Sequence, residues 1–422
     1  MIAGIEHPRM GPLLFHQHQA PALQSAVTDG RIPAAQLVVR RGGDEVLNLA
    51  AGWLDPDTRH CTTQPDTLFD IASITKLFTG LSFMTLVQEG AVALDQSVGA
   101  VLPAFNGERP IQPYEDPLNP GQTMTVSKAA GAVDVGSVTF CHLLTHTSGL
   151  PAWRPLYQQP SADAARRMAL ETFFSYPPGA QVVYSDVGFI LLGMAIEQLT
   201  GQSLETAVHQ RVIAPLKLQH TRYFHTPPSG SPLQGGEYVS IRGKASLPPA
   251  GGIEGGNIAP TEFCRWRGRR IIGQVHDENA YRLGGAAGHA GLFSTATDLA
   301  TLGQALLDCK KGNHRGLPLR AETVDEMTRL QTAGLGSRRG LGFMLWQPDP
   351  ESSSHPFSQQ AFGHLGFTGA SLWIDPSYDL VVALLTNEVY NGRQNRQIQP
   401  LRISIHKAMM NHESRITNHA TR

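Results

Sequence analysis

The sequence has few cysteines, no excess of charge of either sign and no long apolar run. Its four cysteines, at positions 61, 141, 264 and 309, are far apart and form no Cys-x-x-Cys pair, which argues against a zinc ribbon or a redox pair. A formal net charge of −1 over 422 residues argues against nucleic acid or an anionic membrane as a partner. The longest apolar run, 187–196, ends at a glutamate and is too short for a membrane span. These absences favour a small-molecule ligand.

The N-terminal residues 1–9 also lack the charged start and apolar run of a signal peptide, so we expect a cytoplasmic location. With 41% hydrophobic and 16% charged residues, the chain can form one large domain or two interleaved ones. No internal repeat is evident.

Both ends of the chain predict a mixture of helices and strands. The N-terminal part contains a helix over 20–30 and a hairpin of strands 34–40 and 45–50, and the C-terminal part contains strands 369–375 and 380–386 and a helix over 394–410. Between them, helical periodicity dominates over 76–89, 186–200, 203–212 and 297–307. We therefore expect an α+β fold in which the terminal strands form one antiparallel sheet. The expected domains are 1–80 and 336–422, forming an α/β unit, with a mainly helical insertion over 81–335.

Two segments of the middle region allow two interpretations each. Residues 106–136 form a long polar connection with four prolines, which is typical of either a lid or an ordinary surface loop. The basic run Arg265–Arg270 is either a solvated face or an anion site, and a solvated face is the commoner case.

A candidate nucleophile lies at the start of the helix predicted from residue 76. In Ser73-x-x-Lys76 the two side chains are one helical turn apart, and the serine hydroxyl lies at the positive end of the helix dipole. A serine hydroxyl reacts only when a base removes its proton, and a partly desolvated lysine can act in this way. The motif is weak alone, because an N-capping serine followed by a surface lysine gives the same pattern.

Further blocks accompany this motif along the chain. Phe69-Asp70-Ile71-Ala72-Ser73-Ile74-Thr75-Lys76 is followed by Leu143 to Pro151 (LLTHTSGLP), then Tyr184-Ser185-Asp186, then Gly363-His364-Leu365-Gly366. In this order, from about Ala34 to Asn387, the blocks resemble those of the class C β-lactamase group. That group also contains D-alanyl-D-alanine carboxypeptidases, family VIII carboxylesterases and some acyltransferases. The resemblance implies a β-lactamase/transpeptidase-like fold and acyl-enzyme chemistry on Ser73.

The resemblance also implies a tyrosine that points at the serine, and Tyr184 matches it. A nearby ammonium lowers the pKa of a phenol by about 1–3 units, so we expect Lys76 to make Tyr184 a useful base. Asp186 replaces the asparagine common in β-lactamases. A carboxylate there would keep Lys76 protonated and could not donate a hydrogen bond to the carbonyl of a penicillin or peptide.

The last block replaces the Lys-Thr-Gly of β-lactamases. We expect His364, Leu365 and Gly366 to line the substrate site, and the backbone N–H groups of Ser73 and Phe367 to form the oxyanion hole, with Phe367 also in contact with substrate. Histidine is only fractionally charged at neutral pH and leucine has no hydroxyl. This wall therefore favours an ester or a neutral acyl substrate.

Other histidine-containing blocks have structural interpretations. His142 and His146 are four residues apart but lack the glutamate of a metalloprotease helix, so no zinc site is expected. Gly284–Gly291 predicts a tight turn before a capped helix, and His289 within it could face the crevice.

The sequence as a whole predicts a serine hydrolase that needs no metal and no organic cofactor. Its expected substrate is a small ester or amide, with a carboxylesterase-like activity as the first hypothesis. The alternatives are a D-alanyl-D-alanine carboxypeptidase or weak β-lactamase, and a non-catalytic scaffold or ligand sensor with the same fold. The oligomeric state does not follow from the sequence.

Overall fold

A computed structural model describes residues 22–119, 121–127, 131–225, 257–314 and 316–419, with side chains up to residue 410. Its frame is a six-stranded antiparallel sheet. The strands are β1 (Ala34–Arg41), β2 (Asp44–Gly52), β12 (Met344–Leu345), β13 (Phe362–Leu365), β14 (Ser371–Asp375) and β15 (Leu380–Thr386). In the sheet they lie in the order β12-β13-β14-β15-β1-β2. The prediction that strands from both ends of the chain form one antiparallel sheet is confirmed.

The centre of the sheet joins the two ends of the chain. Strand β15 pairs with β1, and Leu384 lies opposite Leu37. All seven residues of β15 are buried, which explains why Leu380–Thr386 is a nearly continuous apolar run and not an alternating one. The predicted strands 34–40, 45–50, 369–375 and 380–386 are confirmed, with ends that differ by no more than two residues.

Helices cover both faces of the sheet. The helices 22–28 (α1) and α10 (Ile398–His419) pack on one face, where Leu23, Ile405 and Trp373 share an apolar cluster. Helix α8 (Ala296–Lys310) packs on the other face. At Gly303 in α8 an added Cβ would lie 2.5 Å from Cγ1 of Val381, so this glycine allows the helix to approach the sheet closely.

The C-terminal helix begins later than predicted. The sequence predicts a helix from residue 394, but α10 begins at Ile398. A carboxylate oxygen of Glu388 accepts the backbone N–H of Ile398 at 2.5 Å and also that of Gln397. Because the cap comes from ten residues earlier in the chain, local sequence does not reveal this boundary.

The middle of the chain is mainly helical, as predicted. Its helices are α2 (Thr75–Gln88), α3 (Phe140–Leu144), α4 (Ala162–Leu170), α5 (Asp186–Thr200), α6 (Leu204–Val208), α7 (Glu278–Arg282) and α9 (Ala321–Thr328), with a π-helical turn at His209–Ile213. Short 3₁₀ turns lie at Ala72–Ile74, Val98–Ala100, Val135–Ser137, Leu156–Gln158, Pro376–Tyr378 and Glu388–Asn391. Twelve of the fourteen residues of α2 are buried, so this helix runs through the core and carries Lys76 into it.

Short strands complete the fold. They are β3 (Phe69–Asp70), β4 (Glu108–Pro110), β5 (Tyr114–Glu115), β6 (Thr123–Met124), β7 (Ala132–Asp134), β8 (Arg222–Tyr223), β9 (Phe263–Cys264), β10 (Arg269–Arg270) and β11 (Leu292–Ser294). Strands β3, β11 and β8 form one small sheet, and the segment 106–136 contains two ribbons, β4–β7 and β5–β6. The basic run turns from β9 to β10, and three of its four arginines donate to protein groups: Arg267 to the carbonyl of Val275, Arg269 to Oε1 of Gln274 and Arg270 to the carbonyl of Tyr390.

The division into an α/β unit and a helical insertion stays a prediction. Helix α8 belongs to the segment 81–335 by sequence, yet it packs directly on β14 and β15. Within the described residues no single helix combines the length and apolar composition of a membrane span. One bent pair of helices, Asp186–Thr200 followed by Leu204–Ile213 at 81°, meets both criteria together.

Candidate active site

Ser73 lies in a tight turn between β3 and α2. The residue before it, Ala72, has φ +46°, a left-handed conformation that is strained for any residue but glycine. The buried carboxylate of Asp70 accepts the N–H of Ala72 at 2.8 Å and that of His276 at 2.6 Å. The hydroxyl of Thr368 donates to the carbonyl of Asp70 at 2.7 Å. These bonds fix a strained turn that presents Ser73 at the N-terminal end of α2.

Lys76 makes three hydrogen bonds from a fully buried position. Its Nζ lies 3.0 Å from Oγ of Ser73, 2.7 Å from Oδ1 of Asp186 and 3.1 Å from the carbonyl oxygen of His289. An ammonium group has three protons to donate and no lone pair, so three acceptors match a charged lysine. The expectation that Asp186 keeps Lys76 protonated agrees with this geometry.

The pKa of Lys76 agrees with its contacts. Burial alone would lower it, but the charge of Asp186 and the phenol of Tyr184 outweigh burial, and the pKa of Lys76 lies above its usual value. The pKa of Tyr184 is also raised, first by burial and then by the Asp186 charge, although Lys76 and Ser73 act in the opposite direction. Lys76 does act to lower the pKa of Tyr184, as expected, but burial of the phenol has the larger effect, so the pKa of Tyr184 lies above its usual value.

Tyr184 is held beside Lys76 by the turn that precedes α5. The N–H of Ser185 donates to Nδ1 of His146 at 3.0 Å, and the His146 ring lies 4.5 Å from that of Tyr184. Nζ of Lys76 is 4.7 Å from the centre of the Tyr184 ring. Within the described residues the buried hydroxyl of Tyr184 completes no hydrogen bond. His146 thus has the structural role expected for it, and the phenol faces the site with an unused donor.

His142 also has a structural role. Its Nδ1 accepts the N–H of Thr139 at 3.2 Å, and the Thr139 hydroxyl accepts the N–H of His142, which closes a capping box at the start of α3.

His364 forms part of the opposite wall. Its ring lies 6.0 Å from that of Tyr184, and its Nδ1–H donates to the carbonyl of Leu365 at 2.8 Å. Burial and the positive charges of Lys76 and Arg339 hold the pKa of His364 well below its usual value, so the imidazole is neutral. The side chain of Leu365 packs on the cluster that α1 and α10 cover, on the other face of the sheet. The strand therefore brings His364 to the site but not the Leu365 side chain.

Gly366 allows this strand to approach the nucleophile turn. A Cβ on Gly366 would lie 2.5 Å from the carbonyl oxygen of Ile71, two residues before Ser73. Within the described residues the backbone N–H groups of Ser73 and Phe367 donate to no carbonyl. The Phe367 ring stacks on His276 at 5.6 Å, which fixes this end of the wall. Two free donors beside the serine match the requirements of an oxyanion hole.

Sequence patterns did not single out an acidic neighbour of this site. Asp277, the N-cap of α7, lies 2.9 Å from Nε2 of His289. Burial opposes ionisation of Asp277, but His289 and further hydrogen bonds outweigh it and keep its pKa well below the usual value. Ligand atoms of Asp186, Asp277 and His289 lie within 4.8 Å of one another, as in a metal site. Lys76 donates to Asp186, and Nε2 of His289 pairs with Asp277, whereas the buried Nδ1 of His289 has no hydrogen-bond partner within the described residues.

A cleft of ≈ 830 Å³ borders the site without including Ser73. Trp153, Tyr157, Trp266 and residues 115–118 of the predicted lid or loop segment line it. Its wall meets the site near Asp186, whose N–H donates to the carbonyl of Ala152, the residue before Trp153.

The strained serine turn, the buried lysine and the facing phenol have the arrangement of a serine hydrolase site. The model of the family described as Beta-lactamase matches residues 16–406, and the chain belongs to this family. The family resemblance expected from the four sequence blocks, and the fold that it implies, are thereby confirmed.

Two relatives whose names give different activities are similar in sequence to most of this chain. An N-acetylmuramyl-L-alanine amidase of Bacillus subtilis (strain 168) is 33% identical, over 84% of this chain and 77% of its own. A protein of Escherichia coli (strain K12) named "Putative D-alanyl-D-alanine carboxypeptidase" is 30% identical, over 79% and 72%.

Solved structures confirm the fold. EstCE1, a hydrolase with promiscuous acyltransferase activity, superposes with a TM-score of 0.62 at 21% identity, over 94% of this chain and 99% of its own. The octameric penicillin-binding protein homologue from Pyrococcus abyssi gives 0.62 at 19% identity, over 91% and 75%.

Proposed function

We propose that this protein hydrolyses small esters through an acyl-enzyme on Ser73, as a carboxylesterase. The observation that carries the proposal is the hydrogen bond of 3.0 Å between Ser73 and Lys76, formed beside Tyr184 inside a buried site. The neutral imidazole of His364 supports an ester or neutral acyl group at that wall.

In the proposed reaction the oxygen of Ser73 attacks the substrate carbonyl carbon. The Tyr184–Lys76 pair, in the form that has lost one proton, takes the proton of the serine. The oxyanion that forms accepts hydrogen bonds from the N–H groups of Ser73 and Phe367. Collapse of the intermediate breaks the bond to the leaving group, which receives the proton from the pair. Water then attacks the acyl-enzyme with the same groups in the reverse roles.

A D-alanyl-D-alanine carboxypeptidase is the second candidate. The names of relatives at about the 30% level of identity favour it. An ester bond and a peptide bond need the same nucleophile and oxyanion hole, so the site alone does not separate them. The two candidates are separated by the ratio of kcat/KM values for short p-nitrophenyl esters, nitrocefin and a D-Ala-D-Ala peptide, measured on one preparation.

The decisive test of the proposal is the loss of the nucleophile. Ser73→Ala should lower hydrolysis of a p-nitrophenyl ester by at least about 10³-fold and abolish labelling by a fluorophosphonate. Ser137→Ala, at an exposed serine, is the matched control and should change neither. Labelling that persists in Ser73→Ala would refute the assignment of the nucleophile. A wild-type protein that forms no covalent adduct would instead support the non-catalytic alternative.

A further inference from the structure

The backbone N–H of Phe367, one of the two expected oxyanion donors, takes its direction from the peptide bond in front of it. The carbonyl of that bond, on Gly366, accepts the N–H of Gly369 at 3.1 Å. Because a trans peptide bond directs its N–H away from its carbonyl, the Phe367 N–H points to the side opposite Gly369. Within the described residues this N–H donates to no carbonyl. Its direction therefore depends on the contacts that hold Phe367.

The ring of Phe367 rests on a histidine that is tied to the nucleophile turn. The rings of Phe367 and His276 are stacked, with centres 5.6 Å apart and planes inclined by 22°. The N–H of His276 donates to the buried carboxylate of Asp70 at 2.6 Å, and the same carboxylate accepts the N–H of Ala72 in the nucleophile turn. Nε2 of His276 lies 2.9 Å from Oε1 of Glu262. The imidazole is therefore fixed relative to the nucleophile.

Arg396 makes a second contact with the Phe367 ring. Its guanidinium carbon lies 4.3 Å from the centre of the ring, a distance at which the face of an aromatic ring attracts a cation. Nε of Arg396 lies 3.7 Å from Oε2 of Glu388, a residue that is only 1% exposed. Oε1 of Glu388 accepts the N–H groups of Gln397 and Ile398 at the start of α10. The helix thus holds the carboxylate, and the carboxylate holds the arginine over the ring.

We propose that Arg396 is a positioning residue of the oxyanion hole, which holds the Phe367 ring against His276 and so directs the Phe367 N–H at the substrate carbonyl. The inference rests on the proposed acyl-enzyme function. Because Glu388 balances the charge of Arg396, the contribution of Arg396 is the contact with the ring and not a free charge. Donors of an oxyanion hole must lie about 2.7–3.1 Å from the oxyanion, so a small rotation of Phe367 weakens the hole and leaves substrate binding intact.

The test is Arg396→Gln, assayed with the neutral ester p-nitrophenyl acetate. Titration with a fluorophosphonate counts the active sites, so that kcat refers to folded protein. We expect kcat to fall by about 3- to 30-fold while KM stays within about twofold, because the contact acts in the transition state. The inhibition constant of phenylboronic acid should rise by the same factor, since its adduct with Ser73 places an oxygen in the oxyanion hole.

Three results would overturn the proposal. Fewer active sites, with kcat and the inhibition constant unchanged, would show that Arg396 has only a structural role. A rise in KM with kcat unchanged would show that Arg396 contacts the substrate. No change in any of these quantities would show that the contact with the ring has no effect.

Two further variants make the measurement specific. Arg396→Lys keeps a cation near the ring and should lose less kcat than Arg396→Gln. Arg222→Gln, on β8, is the matched control, because Arg222 also lies over a phenylalanine, with its guanidinium carbon 5.9 Å from the centre of the Phe224 ring. This control should change neither kcat nor the inhibition constant. Where Arg396→Gln does not fold, Arg396→Met removes the charge at similar length and replaces it in every measurement.

A double-mutant cycle identifies the ring as the point of action. If Arg396 acts through Phe367, Arg396→Gln should lower kcat by less than about twofold when it is added to Phe367→Ala. Losses that simply add would show that Arg396 acts on another group, which contradicts the proposal.

Labelling of Ser73 by a fluorophosphonate keeps the two proposals apart. If the wild-type protein is labelled but Arg396→Gln has the kcat and inhibition constant of the wild type, the inference about Arg396 fails and the proposed function stands. If the wild-type protein is not labelled at all, the proposed function itself fails.

Discussion

The ion pair between Lys76 and Asp186 should determine how kcat/KM depends on pH. The proposed base needs the Tyr184–Lys76 pair to lose one proton, and both groups have raised pKa values. The deprotonated pair is therefore scarce at neutral pH and becomes more abundant as the pH rises. We expect kcat/KM of the wild-type protein to increase up to at least about pH 9, with a midpoint that belongs to the coupled pair. Neutral His364 should add no inflection near pH 6.5.

Asp186→Asn should move this rise to lower pH. At 2.7 Å, with an effective dielectric constant of about 20, the carboxylate stabilises the ammonium by about 6 kcal/mol. The Asp186 side chain is 23% exposed, so we use the lower figure of about 3 kcal/mol known for broken buried pairs. That figure corresponds to about two pKa units. Loss of the Asp186 charge also lowers the pKa of Tyr184, so both effects have the same sign.

The assay is hydrolysis of a p-nitrophenyl ester from pH 5 to pH 10, corrected with Ser73→Ala at each pH. Asp163→Asn makes the same exchange at an exposed aspartate of α4 and should reproduce the wild-type profile. A midpoint in Asp186→Asn that stays in place or moves to higher pH would refute the view that Asp186 holds the proton on Lys76. The height of the plateau is not part of this test.

Two glycines give further predictions. Gly366→Ala places a Cβ 2.5 Å from the carbonyl of Ile71 and should separate the β13 end from the Ser73 turn, so we expect kcat/KM for the ester to fall by at least about 10-fold; an unchanged value would contradict the close approach. Gly303→Ala places a Cβ 2.5 Å from the Val381 side chain between α8 and the sheet. It should lower the free energy of unfolding in urea by about 1–3 kcal/mol while ester hydrolysis of the folded protein persists, and unchanged stability would argue against this packing.

The sequence predicted those parts of the site that lie in short local motifs. Ser73 and Lys76 are one turn apart, a spacing that places both side chains on one face and makes their hydrogen bond possible. Tyr184 and His364 depend on contacts between distant segments, and the resemblance to a known family supplied their places. Most of the helices and strands predicted from periodicity begin and end within two or three residues of those in the structure, since burial on one face or on both determines these patterns.

Other parts of the site depend on burial, which local sequence does not determine. The ordinary effect of an ammonium on a phenol predicted a lowered pKa for Tyr184, but the degree of desolvation reverses the sign. Arg339 is not part of any of the quoted blocks, and nothing in the pattern around it shows that it lies inside the protein. Asp277 has the local signature of a helix cap, while its contact with His289 follows only from the fold.

Strand pairing explains why Arg339 lies near the wall formed by His364 although it is not part of the last sequence block. In the motif Lys-Thr-Gly the positive charge belongs to the strand that lines the site, and here that position is the neutral His364. Strand β12 pairs with this strand, with Met344 opposite Gly363, and Arg339 forms an isolated bridge with Met344. Residue 339 therefore lies beyond β12, two strand spacings from β13, and its guanidinium still comes within 5.4 Å of the centre of the Tyr184 ring. The neutral imidazole of His364 and the charge of Arg339 therefore act on the site together, and the last block alone does not give the full charge of this wall.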